Sequence, residues 1–364
     1  MNEQNPKTSA IDLHNLAEVE DAKLRQKTGK SYSQGQMVWR RFRSHKGAMI
    51  SLFILFSVIV LSLSSIGAFG IPGWWGKSYT GTGLVVGDGS PSADFPFGQT
   101  TTGTDYFAQV MRGTQQSLLI AFVVGILSTF IGAIIGAISG YFRGRVDAVL
   151  MRMTDIVIVI PLLALAAVLG KFVTILKDGG VLPLAIVLGA LGWTGLARLV
   201  RGEVLSLREK EFVAAAVAMG AKPSRVIFKH LLPNTIGVIV VNATFAISAA
   251  ILLETALSYL GFGVQKPDVS LGSLISEYQE AGTTRPWLFW FPGIMILIIA
   301  LCVNFIGDGL RDAFDPRQSG KIKRRALLGI SGRKEALDAS LKSKEPAGAS
   351  SLETKEAETK EDKK

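Results

Sequence analysis

Lys210-Glu-Phe-Val-Ala-Ala-Ala-Val-Ala-Met-Gly220, continued by Ala-Lys-Pro-Ser-Arg-Val-Ile-Phe-Lys-His-Leu-Leu-Pro233-Asn234, reads as a small-residue helix, a Gly/Pro turn and a second short helix. It carries excess positive charge and lies between two long apolar runs, 182–199 and 235–257. A polar element in that position predicts a membrane protein that grips something outside the membrane. Ala214, Ala215, Ala216 and Ala218 keep the first helix thin enough to fit against another surface. Gly220 permits a left-handed helix ending. Pro223 stands near the start of the next turn, with Ser224 as its expected cap. Val226, Ile227 and Leu231 give the second helix an apolar edge, and Lys222, Arg225 and Lys229 a basic one. Pro233 is expected to end it just before the next apolar run. On this pattern alone, an amphipathic helix lying on a membrane surface is as good a reading.

Composition favours the membrane. Hydrophobic residues make up 48% of the 364 and charged residues 19%. Six apolar runs, 49–70, 117–140, 154–172, 182–199, 235–257 and 287–306, approach the roughly 20 residues that a spanning helix needs. Helices satisfy their own backbone groups in lipid, so an all-α bundle of six transmembrane helices follows. The first run follows a long polar segment and is longer than the core of a signal peptide, so it is read as a span.

Charge predicts orientation. Arg40, Arg41, Arg43 and Lys46 precede the first run, and Arg143, Arg145 and Arg152 separate the second from the third. Arg198, Arg201, Arg208, Lys210, Lys222, Arg225 and Lys229 separate the fourth from the fifth, and Arg311, Arg317, Lys321 and Lys323 follow the sixth. The remaining loops are poor in basic residues. The positive-inside rule then puts both termini and the 200–234 loop in the cytoplasm, with Trp74, Trp75, Trp287 and Trp290 at the opposite interface. The net charge of +10 is thus a topology signal, and its split over four segments argues against nucleic-acid binding.

Three parts follow: a polar N-terminal arm, 1–35; a membrane domain, 36–317, with an external loop at 71–116 and the cytoplasmic loop at 200–234; and a charged tail, 318–364, with a disordered composition. Trp39-Arg-Arg-Phe-Arg43 starts an amphipathic lead-in to the first span, suited to an anionic leaflet. The Gly/Ser/Thr/Pro-rich stretch after Gly70 predicts a loop of little regular structure, and a helical pattern resumes from Thr104. Gly132, Gly136 and Gly140 allow close helix approach, more simply within the chain than at a subunit interface.

Little in the sequence supports catalysis. Gly76-Lys77-Ser78 resembles the end of a phosphate loop, but Ile71 stands where that pattern requires glycine. His14, His45 and His230 share no metal-ligand spacing, and no nucleophile–base or paired-carboxylate arrangement is evident. Cys302, in the last run, is read as a packing residue. Ionisable groups near apolar runs point to function by default. Glu254 therefore either lines a transport path or pins helices, and Asp155 is read as structural beside Arg152. Asn242, mid-span, either bonds a neighbouring helix, the preferred reading, or touches solute.

The order of residues in the 214–234 stretch resembles the EAA motif of binding-protein-dependent ABC transporter permeases. Other segments extend the resemblance over about 36–317: Pro96-Phe-Gly98, Gly103-Thr-Asp105, Gly113 and Ser117-Leu118; Val146-Asp147, Met151-Arg152 and Asp155; Trp193 and Ala197-Arg-Leu-Val-Arg-Gly202; Glu254, Leu257-Ser258, Leu260-Gly261 and Gly263; Phe291-Pro-Gly293 and Gly307-Asp-Gly-Leu-Arg-Asp312; and Asp315-Pro316-Arg317. The set is most similar to the second permease of the oligopeptide/dipeptide (and nickel) importer group.

The resemblance implies a type I ABC importer permease with cytoplasmic coupling helices, multi-pass in a bacterial-type plasma membrane. It implies a second permease subunit, two ATPases that use ATP and Mg, and an external solute-binding protein. It also implies that this chain binds no cofactor and hydrolyses no ATP itself. Peptides are the implied cargo, with nickel or another small solute as the alternative; an ion-coupled secondary transporter and a membrane scaffold are the rivals. ATPase coupling would fall to Glu211, Ala214, Ala215, Ala216, Gly220, Lys222, Arg225, His230 and Pro233, and the translocation path to Glu254 and Asn242. Two departures stand out. Ala214 occupies the place of the family's motif glutamate, with Glu211 three residues earlier, and His230 replaces the usual Ile. Docking is therefore expected to rest on helix shape together with Lys222 and Arg225.

Overall fold

The computed structural model describes residues 34–68, 70–176 and 181–314. The expectations for most of the N-terminal arm, for Asp315-Pro316-Arg317 and for the charged tail lie outside these residues. Helix α1 (Gln34–Ser44) leads into α2 (Lys46–Ile66), which a two-residue hairpin, β1 (Gly67–Ala68) and β2 (Ile71–Pro72), closes. Helices α3 (Tyr106–Phe142), α4 (Gly144–Val159), α5 (Leu162–Leu176), α6 (Val181–Leu191) and α7 (Thr194–Arg208) follow. Next come α8 (Glu211–Ala218), the single turn α9 (Pro223–Arg225), a π-helical segment at Val226–Leu231, and α10 (Leu232–Tyr259). Helices α11 (Leu271–Tyr278) and α12 (Trp287–Phe314) complete the order.

Four helical stretches are long and apolar enough to cross a membrane unbroken: Lys46–Ile66, Tyr106–Phe142, Pro223–Tyr259 and Trp287–Phe314. The other two expected spans are bent pairs, α4 with α5 at 83° and α6 with α7 at 42°. The first break has a clear cause. Pro161 disfavours helical geometry at the residue before it, and Ile160 is extended, with ψ of 126°. The second falls at the Gly192–Trp193 turn, where glycine lowers the cost of leaving the helix.

Helix α3 begins where the helical pattern was expected to resume after Thr104, because the Asp105 carboxylate caps it by accepting the Ala108 N–H at 2.7 Å. Burial raises the Asp105 carboxyl above the usual carboxylate range, opposed by the Ala108 amide and the Trp75 indole. The loop before α3 packs through its aromatics: Phe97 stacks on Phe291 at 4.0 Å, and Trp75 meets Phe107 at 4.9 Å. Of the four expected belt tryptophans, Trp74 and Trp290 are exposed, whereas Trp75 and Trp287 pack into this cluster. Lys77 lies over the Phe95 ring and faces Asp105, and the Ser78 hydroxyl accepts the Gly81 N–H. The Gly-Lys-Ser triplet thus serves the loop itself.

At the opposite, basic end, α1 lays Phe42 into a small core with Ala48 and Ala313. His45 caps α2 through Nδ1, which accepts the Ala48 N–H at 3.1 Å, and its Nε2 faces Asp312 at 3.6 Å. Cys302 is buried in the core, as expected of a packing residue.

The seam between α3 and α7 sets the arrangement. A Cβ added at Gly132, Gly136 or Gly140 would come within 2.8, 2.5 and 2.9 Å of the carbonyls of Trp193, Ala197 and Arg201. The glycine row thus serves packing within this chain, as the simpler reading expected. Gly136→Ala should lower the thermal unfolding midpoint in detergent, because overpacking costs about 1–3 kcal/mol. Gly202→Ala on α7, where a Cβ meets nothing within 4 Å, should leave it unchanged or raise it.

Candidate functional site

The motif stretch folds as one unit on a dedicated core. Val213, Val226, Ile227 and Leu231 are buried with Ala133, Ala137, Val200, Val204 and Ile239. The apolar edge expected for Val226, Ile227 and Leu231 therefore seats the loop on α3 and α7. Seating fixes which face of α8 remains open. Val213 and Ala216 point inward, and Glu211, Ala214, Ala215 and Ala218 are exposed. Glu211 and Ala214 lie three residues apart on one side of the helix. Glu211 also sits in the first turn, where the helix dipole favours a carboxylate.

Helix α8 ends in a Schellman motif. Gly220, at φ +79°, donates to the Val217 carbonyl at 2.9 Å, and Ala221 donates to Ala216 at 3.1 Å. The left-handed ending expected at Gly220 is present. Ser224 is not the next cap. Lys222 holds the cap position with extended geometry and no side-chain bond, and Pro223 takes the first helical position, where a missing N–H costs nothing. Lys222 and Arg225 are exposed beside it.

The expected stop at Pro233 is also corrected. Helix runs from Pro223 to Tyr259 without a break. Across Val226–Leu231 the winding widens, and the Leu232 N–H bonds the Ile227 carbonyl five residues back. Proline inside an α-helix clashes with the carbonyl four residues earlier, and the wider turn relieves that clash. The Asn234 amide donates to the His230 carbonyl at 2.6 Å, satisfying it at the distorted turn. Within the 200–234 stretch, α7 continues to Arg208. His230 is half-buried within the π turn.

Ion pairs brace the surroundings. Arg201 grips Asp147 through Nε and Nη2 at 2.5 and 2.6 Å, and Ser139 donates to the same carboxylate at 2.5 Å. Arg143 pairs with Glu209. Asp155 pairs with Arg198 at 2.5 Å, not with its sequence neighbour Arg152, because α4 runs alongside α7.

Other residues of the motif stretch share the open surface. Phe212, Val217, Met219 and Phe228 are exposed, Met219 by 81%. Helical period is the signal that finds Phe212 and Met219. With Val213 and Ala216 turned inward, Phe212, Ala215 and Met219 fall on the other side.

The two expected path residues stand apart from this surface and from each other. Asn242 folds back on its own helix, donating to the Val238 carbonyl at 2.9 Å rather than across to a neighbour. Such a local bond satisfies a mid-helix amide without a second helix. Glu254 is fully buried within this chain and accepts from Ser258 at 2.7 Å and Ser117 at 3.4 Å. Its carboxylate opens onto no surface of the subunit, because the hydroxyls of two helices close around it.

Gly220→Val should loosen the end of α8 at a cost of about 1–2 kcal/mol, whereas Gly220→Asn, tolerated in left-handed geometry, should cost less. Hydrogen exchange of amides 213–221 measures both. A Cβ at Gly220 meets nothing within 4 Å, so any difference reports backbone strain alone.

Comparison with known proteins places the chain. Residues 132–320 match the family described as binding-protein-dependent transport system inner membrane component. Residues 33–69 match the N-terminal TM domain of oligopeptide transport permease C. The chain is 39% identical over 284 residues to an oligopeptide transport system permease protein, OppC, of Mycobacterium bovis, covering 78% of this chain and 95% of the relative. It is 38% identical over 288 residues to OppC of Bacillus subtilis, covering 79% and 91%. It is 36% identical over 288 residues to the dipeptide transport system permease protein DppC of Bacillus subtilis, covering 79% and 87%. On the matched family, the relatives and the helical bundle together, the chain belongs to the binding-protein-dependent transport system inner membrane components, the permease subunits of ABC transporters.

Proposed function

We propose that this chain forms half of the translocation path of an ATP-driven importer for oligopeptides or dipeptides. A second permease supplies the other half, and an external solute-binding protein delivers the cargo. The basic end faces the cytoplasm of a bacterial-type cell, and both termini lie there. Two ATPase subunits dock on α8 and the turn that follows, and they bind and hydrolyse ATP with Mg. The chain itself takes no part in that chemistry.

One observation carries this reading. A thin, exposed alanine face is fixed by the Gly220 turn onto a helix continuous with a full span. Movement of a body gripping α8 therefore reaches the membrane through one stiff rod. Exposed Phe212, Val217 and Met219 supply apolar contacts around the alanines, and Lys222 and Arg225 supply charge. With Ala214 in place of a glutamate, shape and apolar contact carry most of the grip. Peptide cargo follows from the relatives named for oligopeptide and dipeptide transport.

Ala215→Trp thickens the open face without touching the buried side at Val213 and Ala216. It should cut co-purification of the ATPases, and uptake with it, by about tenfold, while the amount of subunit in the membrane stays unchanged. Uptake that persists when the ATPases carry inactivated phosphate-binding lysines would sink the importer reading.

A further inference from the structure

Several residues that carry the family resemblance have no place in the docking surface: Gly113, Ser117, Glu254, Ser258 and Gly263. They form two clusters about 140 residues apart in sequence, and the structure brings them to one point. Glu254 stands near the end of α10, Ser117 lies on α3, and the start of α11 enters between them. A Cβ at Gly113 would come within 3.1 Å of the Leu271 nitrogen, and one at Gly272 within 2.6 Å of the Thr255 Cα. Gly263 is pressed against Ser258 in the same way. Small residues let three segments converge, and the convergence is polar at its centre.

The hydrogen bonds at this point run in one direction. The Leu271 N–H donates to the Ser117 hydroxyl at 3.1 Å, and Ser117 donates to one oxygen of Glu254 at 3.4 Å. The Ser258 hydroxyl donates to the other oxygen at 2.7 Å. Ser270, which caps α11 by accepting the Ser273 N–H at 3.1 Å, lies 3.3 Å from Ser258, with its proton free to point there. Each hydroxyl has one proton to give. Both chains therefore end on Glu254, which terminates α3, α10 and the α11 cap together. Asp268 fastens the same segment farther out, where Arg112 grips it at 2.7 and 3.0 Å.

We propose that Glu254 is a positioning residue: its clasp on Ser117, Ser258 and the Ser270 cap makes α11 move as one body with the far end of the helix that begins at the docking turn. The proposal rests on the importer reading and extends it to the loop end of the subunit. Helix α11 packs on α3, α10 and α12, buries Leu271 and Leu274, and stands between the last two spans. A rod running from Pro223 to Tyr259 that carries Glu254 close to its end delivers its displacement to α11 only while the clasp is closed.

The test uses the complete complex, with its second permease, ATPases and binding protein, in nanodiscs and proteoliposomes. Hydrogen exchange is followed over residues 271–278, and uptake of tri-alanine is measured per ATP hydrolysed. Glu254→Leu should raise exchange across 271–278 by about tenfold and leave 226–245 unchanged, because the lost bonds are local. Uptake per ATP should fall about fivefold while ATP hydrolysis continues, a split that loss of folded subunit does not produce. Glu254→Gln keeps one acceptor oxygen and should fall between the two, and Ser117→Ala should reproduce the exchange change more weakly. If Glu254→Leu fails to assemble, those two variants decide the same comparison.

Unchanged exchange over 271–278 in every variant overturns the proposal. So does increased exchange with unaltered uptake per ATP. A shift in peptide KM alone would return Glu254 to the path. If the wild-type complex hydrolyses ATP without any uptake, the importer reading fails on its own, and the exchange comparison still decides whether the clasp exists.

Discussion

The turn at Val226–Leu231 is wound wider than an α-helix, and this winding carries the backbone past Pro233 without a break. The bond geometry is local, but its consequence spans the subunit. At about 1.5 Å per residue, the 37 residues from Pro223 to Tyr259 form a rod of roughly 55 Å. A hinge at Pro233 would separate the surface loop from the span. The π turn joins them, and the Asn234 side chain bonds a carbonyl at the distorted turn. The exposed face of α8 thus has a stiff path into the bundle.

That rod is held along its length by packing of different kinds. Near the Gly220–Pro223 turn, Val226, Ile227 and Leu231 lock into the core built by α3 and α7. Halfway, Gly307 on α12 lies against Thr244 of α10. At the far end the contact becomes polar, with Glu254 among serines. A buried carboxylate is costly unless its lone pairs are filled, which makes it a poor general-purpose packing group but a directional one. Replacing it with an apolar residue of similar volume would keep burial and lose direction.

The sequence made the helical bundle and the seat of the 210–234 stretch legible, for physical reasons. Long apolar runs, a glycine row at four-residue spacing and inward Val226, Ile227 and Leu231 follow from period and composition alone. The departures occurred where one local rule met a stronger neighbour. Pro161 broke a span as its chemistry requires, whereas Pro233 did not, because the residues before it could unwind by part of a turn. Asp155 chose Arg198 over nearby Arg152 because helix pairing outranks sequence proximity. The surroundings of Glu254 were hidden, since Ser117, Ser258 and Ser270 are ordinary residues until three segments meet.

The subunit combines two kinds of attachment. Helices α3, α7 and α10 meet through glycines and a buried apolar core, where separation opens voids and loses dispersion contacts. Helix α4 buries only Thr154 and reaches α7 through the Asp147–Arg201 and Asp155–Arg198 pairs. The Asp155–Arg198 pair, about half exposed on both sides, contributes roughly 0–1 kcal/mol, whereas the bidentate Asp147–Arg201 pair, joined by Ser139 of α3, holds α4 more firmly. Pro161 then turns the chain sharply into α5. Helix α4 is therefore tied to its neighbours by polar side chains, firmly at Asp147 and more loosely at Asp155, whereas α3, α7 and α10 share a continuous apolar core. The contrast is legible in composition: glycine and valine fill the close-packed seam, and aspartate and arginine bridge the polar one.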